Sequence, residues 1–427
     1  MKKRLIALVL IAALLAGLFA ACAEPPEPLA TGPMEEPPPP DIVTLGKAED
    51  TNAAILNFSH ALFREVLAME EENPVISPLS AYYVLAMAAL GAEGETRAEF
   101  EAVLGRPAAA LAGELYALTQ SLTDTAGSTE LNIAGSIWTN EPLAIHPAFA
   151  EAMRVYFDAP ALSRNFALPE TLDEINAWVS ERTEGLIDRF LSELDPALFM
   201  MLINTLYFSG QWAEVFRPMT EFPDMFHPER GSSVEVLFLS TGGTDLAASI
   251  TDTYEAVMLP YDDGRLGFLL VRPTDGTPVR EFAAAQDLRM IVAGLEMQRL
   301  GTTIARTGEQ VEVVVRMPKL DLEFGIFLTE ILQNMGLQAA FIPAQAAFPG
   351  LLEGDPPLWI DLVFQRVRLI VDEEGTEAAA ATGIFVAGAA PRPMDFITLT
   401  FDTPYLYAIY DLEAGIPLFI GVLENPA

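Results

Sequence analysis

Leu369-Ile370-Val371-Asp372-Glu373-Glu374-Gly375-Thr376-Glu377-Ala378-Ala379-Ala380-Ala381-Thr382-Gly383 is the stretch on which the fold turns. An apolar, β-branched run enters an acidic turn, and very small residues follow where a surface loop is ordinarily polar. Four consecutive alanines near the C-terminus make no core and cap no helix. Small side chains suit a segment that must later enter a tight space. Strand side chains alternate between faces. One alternate set is therefore Thr376, Ala378, Ala380, Thr382, Ile384 and Val386, small first and branched later, with no charge. The opposite set carries Glu377, which suits solvent. The competing reading is a flexible alanine linker that never enters a sheet.

Working outward, the 427-residue chain is half hydrophobic, enough for one large core. Its formal net charge is −36, from 24 Lys+Arg against 60 Asp+Glu. Such a surface repels phosphate backbones and polyanions, so no nucleic-acid partner is expected. Lys2-Lys3-Arg4 precede an apolar run over 5–21, short for a membrane span, and the sole cysteine, Cys22, follows Phe19-Ala20-Ala21. Residues 1–22 are thus a predicted signal with a lipobox-like end, and Cys22 a predicted lipidation site. The alternative is a plain secretory signal with Cys22 incidental. The rest, 23–50, is rich in proline and acid, including Pro37-Pro38-Pro39-Pro40, and is expected to be a semi-stiff spacer before one globular domain at 51–427. An exported chain held at the outer face of a bacterial membrane is the expected location, or a secreted one if Cys22 carries no lipid. No disulfide is possible within the chain.

Within 51–427, apolar spacing predicts helices over 51–67, 79–90, 95–104, 147–157, 172–183 and 322–335. The helix over 79–90 is apolar on nearly every face, which predicts full burial, with Gly91 as its stop. Strands are expected over 131–138, 199–208, 234–239, 254–259, 266–271, 311–317, 362–371, 396–401, 405–410 and 418–422. The continuous apolar run at 199–208, ended by Ser209-Gly210, suits a central strand covered on both sides. Helices dominate the first half and strands the second, which is an α+β arrangement.

Several motifs occur in one order. They are Asn73-Pro74-Val75-Ile76-Ser77-Pro78-Leu79-Ser80, Asn204-Thr205-Leu206-Tyr207-Phe208-Ser209-Gly210-Gln211-Trp212, Phe226-His227, Val257-Met258-Leu259-Pro260-Tyr261, Met317-Pro318-Lys319, Phe401-Asp402-Thr403-Pro404-Tyr405 and Pro417-Leu418-Phe419-Ile420-Gly421. With the hinge sequence they resemble the serpin family from about residue 51 to the end. The resemblance implies helices packed on large mixed and antiparallel sheets, with an exposed reactive-centre loop from Gly375 to about Ile397. It implies a hinge at Glu373, Glu374, Gly375, Thr376, Glu377, Ala378, Ala379, Ala380, Ala381 and Thr382. It further implies a shutter beneath the main sheet containing Ser77, Ser80 and Asn204, and a breach at Trp212. Where many serpins carry a shutter histidine this chain has Gln365, which can hydrogen-bond but cannot titrate.

The activity implied is suicide inhibition of a serine protease. The protease acylates itself on the loop, and the freed hinge arm adds a strand to the sheet and traps the acyl-enzyme. Counting forward from Gly375 places the scissile bond at Ala389–Ala390. Counting back from Phe401 places it near Arg392–Pro393, where the proline opposes cleavage. Ala389 implies an elastase-like or subtilisin-like target with a small pocket. Roughly 14 inserted residues at about 3.3 Å each would span about 46 Å. Catalysis by the chain itself is not expected. Only His60, His146 and His227 are available, and no G-x-S-x-G, H-E-x-x-H or phosphate-binding glycine motif occurs. His146 is expected at a helix start, His227 packed and hydrogen-bonded, and His60 partly exposed on the first helix. No cofactor or metal is expected, and a monomer is. A non-inhibitory serpin used as a binding module and a lipid-anchored solute-binding protein are the rival functions.

Overall fold

The computed structural model describes residues 48–124, 127–213, 223–243, 246–300, 312–354, 356–376 and 396–426. Cys22, the hinge residues Glu377, Ala378, Ala379, Ala380, Ala381 and Thr382, and both proposed scissile pairs, Ala389–Ala390 and Arg392–Pro393, lie outside them.

In chain order the elements are α1 (Ala48–Met69), β1 (Val75–Ile76), α2 (Pro78–Gly91), α3 (Gly94–Leu104), α4 (Ala108–Thr123), β2 (Glu130–Asn140), α5 (Pro147–Phe157), β3 (Ala161–Arg164) and α6 (Pro169–Arg182). There follow β4 (Met200–Gln211), β5 (Asp224–Phe226), β6 (Val234–Val236), β7 (Phe238–Gly243), β8 (Ala247–Ile250), β9 (Tyr254–Pro260), β10 (Leu266–Pro273), α7 (Val279–Ala285) and α8 (Leu288–Leu300). The chain closes with β11 (Glu312–Pro318), β12 (Leu320–Phe327), α9 (Thr329–Asn334), β13 (Leu362–Val371), β14 (Gly375–Thr376), β15 (Phe396–Thr400), β16 (Tyr405–Asp411) and β17 (Ile416–Leu423).

Two six-stranded sheets organise the domain. One is antiparallel, in the order β1-β17-β16-β10-β9-β8, and the other is mixed, in the order β12-β13-β14-β4-β2-β3. A three-stranded sheet, β15-β11-β7, and the β5–β6 pair complete them. α2 is apolar all round and buried along almost its whole length, with contacts to both large sheets. Ser77 caps it, and Pro78 fills the first turn, where a missing N–H costs nothing. The other face of the mixed sheet is covered by α6 through Ile175, Trp178 and Val179, packed with Trp138, Met201, Ile203 and Phe364. Burial on both faces explains why β4 reads as a mostly apolar run.

Four expectations need correction. β4 does not end at Ser209-Gly210 but runs on to Gln211. Gly210 is needed inside the strand because a Cβ there would stand 2.9 Å from the Phe208 ring and 3.1 Å from that of Tyr261. The segment expected as one helix over 322–335 is an edge strand, β12, followed by a short helix, α9. Leu320 and Ile326 are buried while Asp321 and Glu323 point to solvent, so the period is closer to two than to 3.6. The strand expected over 234–239 is broken at Leu237, which is 50% exposed, into β6 and β7. Gly375 does not begin an exposed loop, because Gly375 and Thr376 are buried and paired within the mixed sheet.

Candidate functional site

The mixed sheet contains a seam. β13 and β4 run parallel and pair directly over Leu362↔Met201, Val363↔Leu202, Phe364↔Ile203 and Gln365↔Asn204. At its far end β14 stands between them, with Thr376 opposite Val371 on one side and Gly375 and Thr376 opposite Gln211 and Gly210 on the other. The backbones approach so closely that a Cβ at Gly375 would lie 2.0 Å from the carbonyl oxygen of Gly210, so only glycine fits.

At the closed part of the seam the sheet rests on the start of α2. Gln365, 0% exposed, donates from Nε2 to Ser77 O (2.8 Å), Ser80 Oγ (3.0 Å) and Asn204 Oδ1 (2.6 Å), and its Oε1 accepts from Ser77 N (3.0 Å). Ser80 Oγ also reaches Asn204 Oδ1 at 3.0 Å, and Asn204 Nδ2 donates to Phe364 O at 3.4 Å. Ser77, Ser80, Asn204 and Gln365 thus form one buried network that crosses the seam and ties both strands to the helix beneath. At its lower end Asp361 Oδ2 accepts from Phe199 N (2.5 Å) and Met200 N (3.2 Å), a second tie between the strands.

At the other end the hinge turn is held by side chains. Asp372 Oδ1 accepts from Glu374 N (2.9 Å) and Gly375 N (3.3 Å), and Asp372 N donates to Gly375 O (2.9 Å). Asp at the first and Gly at the fourth position is the usual chemistry of such a turn. Glu373 forms an ion pair with Lys319. Trp212 donates its indole N–H to Asp372 O (2.9 Å) and its main-chain N–H to Glu374 O (3.0 Å). Its ring is stacked on Tyr261 at 4.7 Å and 13°. Burial pushes the Tyr261 phenol well above the ordinary tyrosine range, so the hydroxyl keeps its proton.

Sequence reasoning assigned no role to Tyr261, Lys319, Asp372 or Asp361. Lys319 and Tyr261 lay in quoted motifs, and Asp372-x-x-Gly375 was a readable turn signal. Nothing in sequence places Tyr261 against the hinge, because that contact joins residues 115 positions apart.

The three histidines belong to different elements. His146 caps α5, accepting from Ala148 N at 3.1 Å. His227 is exposed rather than packed; its Nδ1 lies 2.7 Å from Ser233 Oγ, and its main-chain N–H donates to Asp402 O at 2.7 Å. His60 is half-buried, accepts from Leu288 N at 3.4 Å, and is held below its ordinary pKa by that burial. Among the described residues no group of three or more His, Cys, Asp or Glu side chains is placed to hold a metal ion. A groove of about 680 Å³ between α1 and α3, lined by Phe58, Arg64, Val103 and Met335 among others, contains no residue of the seam.

A family profile described as Serpin (serine protease inhibitor) matches residues 53–426. A serpin-like protein of Thermococcus kodakarensis is 28% identical over 392 residues, covering 90% of this chain and 88% of that protein. Serpin-Z7 of Hordeum vulgare is 32% identical over 373 residues, covering 83% and 90%. Among solved structures, the native state of the thermophilic serpin tengpin aligns with a TM-score of 0.77 at 28% identity, over 92% of this chain and 97% of that one. Human thyroxine-binding globulin with its hormone aligns equally well, TM-score 0.77, over 90% and 100%, and at 22% identity that likeness speaks for the fold alone. With the profile spanning the whole two-sheet domain, the chain belongs to the serpin family.

Proposed function

We propose that this serpin is a suicide-substrate inhibitor of a serine protease. The protease hydroxyl attacks the carbonyl of Ala389, an ester forms, and the amine of Ala390 leaves as a new N-terminus. The freed arm then enters the seam between β13 and β4. In this reading Glu373 to Thr382 form the hinge, Ser77, Ser80, Asn204 and Gln365 the shutter, and Trp212 stands at the breach.

The observation that carries the proposal is the half-occupied seam. The two strands are paired from Leu362 to Gln365, and above that, among the described residues, the two residues of β14 stand between them. Continuing the register of β14 pairs residue 376 + k with residue 210 − k of β4. Val386 would then reach Met200, the first residue of β4, and Ala389 would lie just past the sheet's end. A scissile bond at Arg392–Pro393 would leave six residues beyond that end, a slack tether. The inward set of that register is the uncharged Thr376, Ala378, Ala380, Thr382, Ile384 and Val386. A small residue at Ala389 favours an elastase-like or subtilisin-like target. We propose also that the chain is exported and held at a membrane through lipid on Cys22, with the proline-rich 23–50 as spacer, and that it acts as a monomer.

Incubation with elastase tests the inhibitory reading. An SDS-stable complex and a released peptide beginning at Ala390 are expected. Cleavage without complex, but with a large rise in melting temperature, would mean insertion without trapping, as in a non-inhibitory serpin. Cleavage with no rise would exclude insertion.

A further inference from the structure

The hinge carries little register information of its own. Beyond Thr376 and Glu377 come Ala378-Ala379-Ala380-Ala381, which pack much the same if the strand slips by one residue. A one-residue slip nonetheless turns every side chain to the other face, carrying Glu377 inward. Gly375, which alone fits beside Gly210 O, and Glu377 mark the start of the arm, and a contact outside it adds to that alignment.

Tyr261 follows β9, is 0% exposed, and meets Thr376 Oγ1 with its hydroxyl at 2.6 Å. Its ring cannot swing away. Trp212 is stacked on it at 4.7 Å, and Phe208 packs edge-on at 5.0 Å. Trp212 is itself bonded to the hinge turn at Asp372 O and Glu374 O. The phenol is thus a fixed, buried polar point facing the first hinge residue that is paired on both sides. An alanine brought there by a slip would leave it unbonded, and Glu377 would bring a carboxylate into a buried aromatic site.

We propose that Tyr261 is a positioning residue, a register pin whose hydroxyl recognises that of Thr376 and sets the alignment in which the cleaved arm enters the seam. The proposal rests on the reading of the loop as an inserting strand. Tyr261→Phe keeps the ring stack and removes the hydroxyl, Thr376→Val removes it from the other side, and Thr376→Ser retains it. With the protease that traps the parent, the moles of inhibitor consumed per mole of protease trapped should rise about fivefold in either single loss, the scale of one buried neutral hydrogen bond. The double variant should be no worse than the singles, and Thr376→Ser should match the parent. A merely structural role would lower the melting temperature of the intact chain and leave this ratio unmoved, and that outcome overturns the proposal. So does Thr376→Ser behaving as Thr376→Val. A parent that neither traps nor gains melting temperature on nicking removes the inserting strand itself, and the pin with it. A parent that traps beside an unchanged Tyr261→Phe removes the pin alone.

Discussion

Replacing Gln365 by Glu exchanges one NH₂ group for oxygen at a fully buried position and leaves shape almost unchanged. The lost group donates to Ser77 O, Ser80 Oγ and Asn204 Oδ1 at 2.6–3.0 Å. A protonated glutamic acid can replace one of these donations, best to Asn204 Oδ1, and can still accept from Ser77 N. Ser77 O keeps Ala81 N at 3.3 Å and Ser80 Oγ at 3.2 Å. In acid the cost is therefore about 1–2 kcal/mol. The ionised form would set a carboxylate against two carbonyl oxygens with no cation in the network. Its folded pKa must rise above the ordinary value of about 4.3. The unfolded chain then loses the proton first. The variant's stability is highest below that value and falls as pH rises towards the folded pKa, by at most about 1.4 kcal/mol per unit. Across three units the loss reaches about 4 kcal/mol. Urea or thermal unfolding of the intact chain at pH 5, 6, 7 and 8 measures this, with Gln365→Ala as the control that adds no slope. A Gln365→Glu variant whose deficit against the parent stays constant from pH 5 to 8 would refute the described network.

Gly375→Ala should expel the two-residue β14 from the seam, since its Cβ would overlap Gly210 O. Hydrogen exchange at the Trp212 amide, now bonded to Glu374 O, should accelerate, and an amide as protected as the parent's would contradict this. His60 is kept neutral by burial, opposed by nearby Asp287 and assisted by Arg289, so its folded pKa lies below 6.5. The parent should lose stability as pH falls through the window below 6.5, at no more than about 1.4 kcal/mol per unit, and His60→Gln should flatten that part of a melting-temperature profile. Arg106 grips Glu114, whose side chain is 2% exposed, so Arg106→Ala should cost about 3–5 kcal/mol in urea unfolding by stranding a buried carboxylate. Adding Glu114→Leu should recover part of that loss.

Sequence disclosed most where one physical requirement dominated a whole segment. β4 and α2 are buried on nearly all sides, so their composition alone specified them. It disclosed less where a second element supplied the reason. Gly210 reads as a strand stop until the rings of Phe208 and Tyr261 are seen to occupy the place of its side chain. β12 mixes Leu322, Phe324 and Ile326 with charged neighbours in a pattern that either period accommodates, and its pairing with β13 decides. α4 was not foreseen although Leu111, Leu115, Leu118 and Leu122 repeat at three- and four-residue spacing and all are buried. The Ser77, Ser80, Asn204 and Gln365 network came from motif likeness; the contacts that join its members span up to 288 positions, beyond the reach of local pattern.

The polar character of the seam's closed part has a physical consequence. If Gln365 and Asn204 were apolar, the seam would be a close-packed zipper, and parting it would cost transfer and cavity terms until new side chains filled the gap. Instead the strands are bridged by an amide pair, Gln365 Nε2 to Asn204 Oδ1, whose groups can exchange partners. An incoming strand presents one N–H and one C=O at every residue, and the main-chain groups freed when Gln365↔Asn204 and its three neighbouring pairs part are satisfied by the same ladder. Under the proposed insertion, breaking the lock and filling the seam are successive exchanges of hydrogen bonds, each leaving few groups unpaired at once. In the proposed insertion the exchange runs in register from Thr376 downward, so the alignment at Tyr261 acts where the strand starts and the lock at Gln365 acts six residues further along, opposite Asn204.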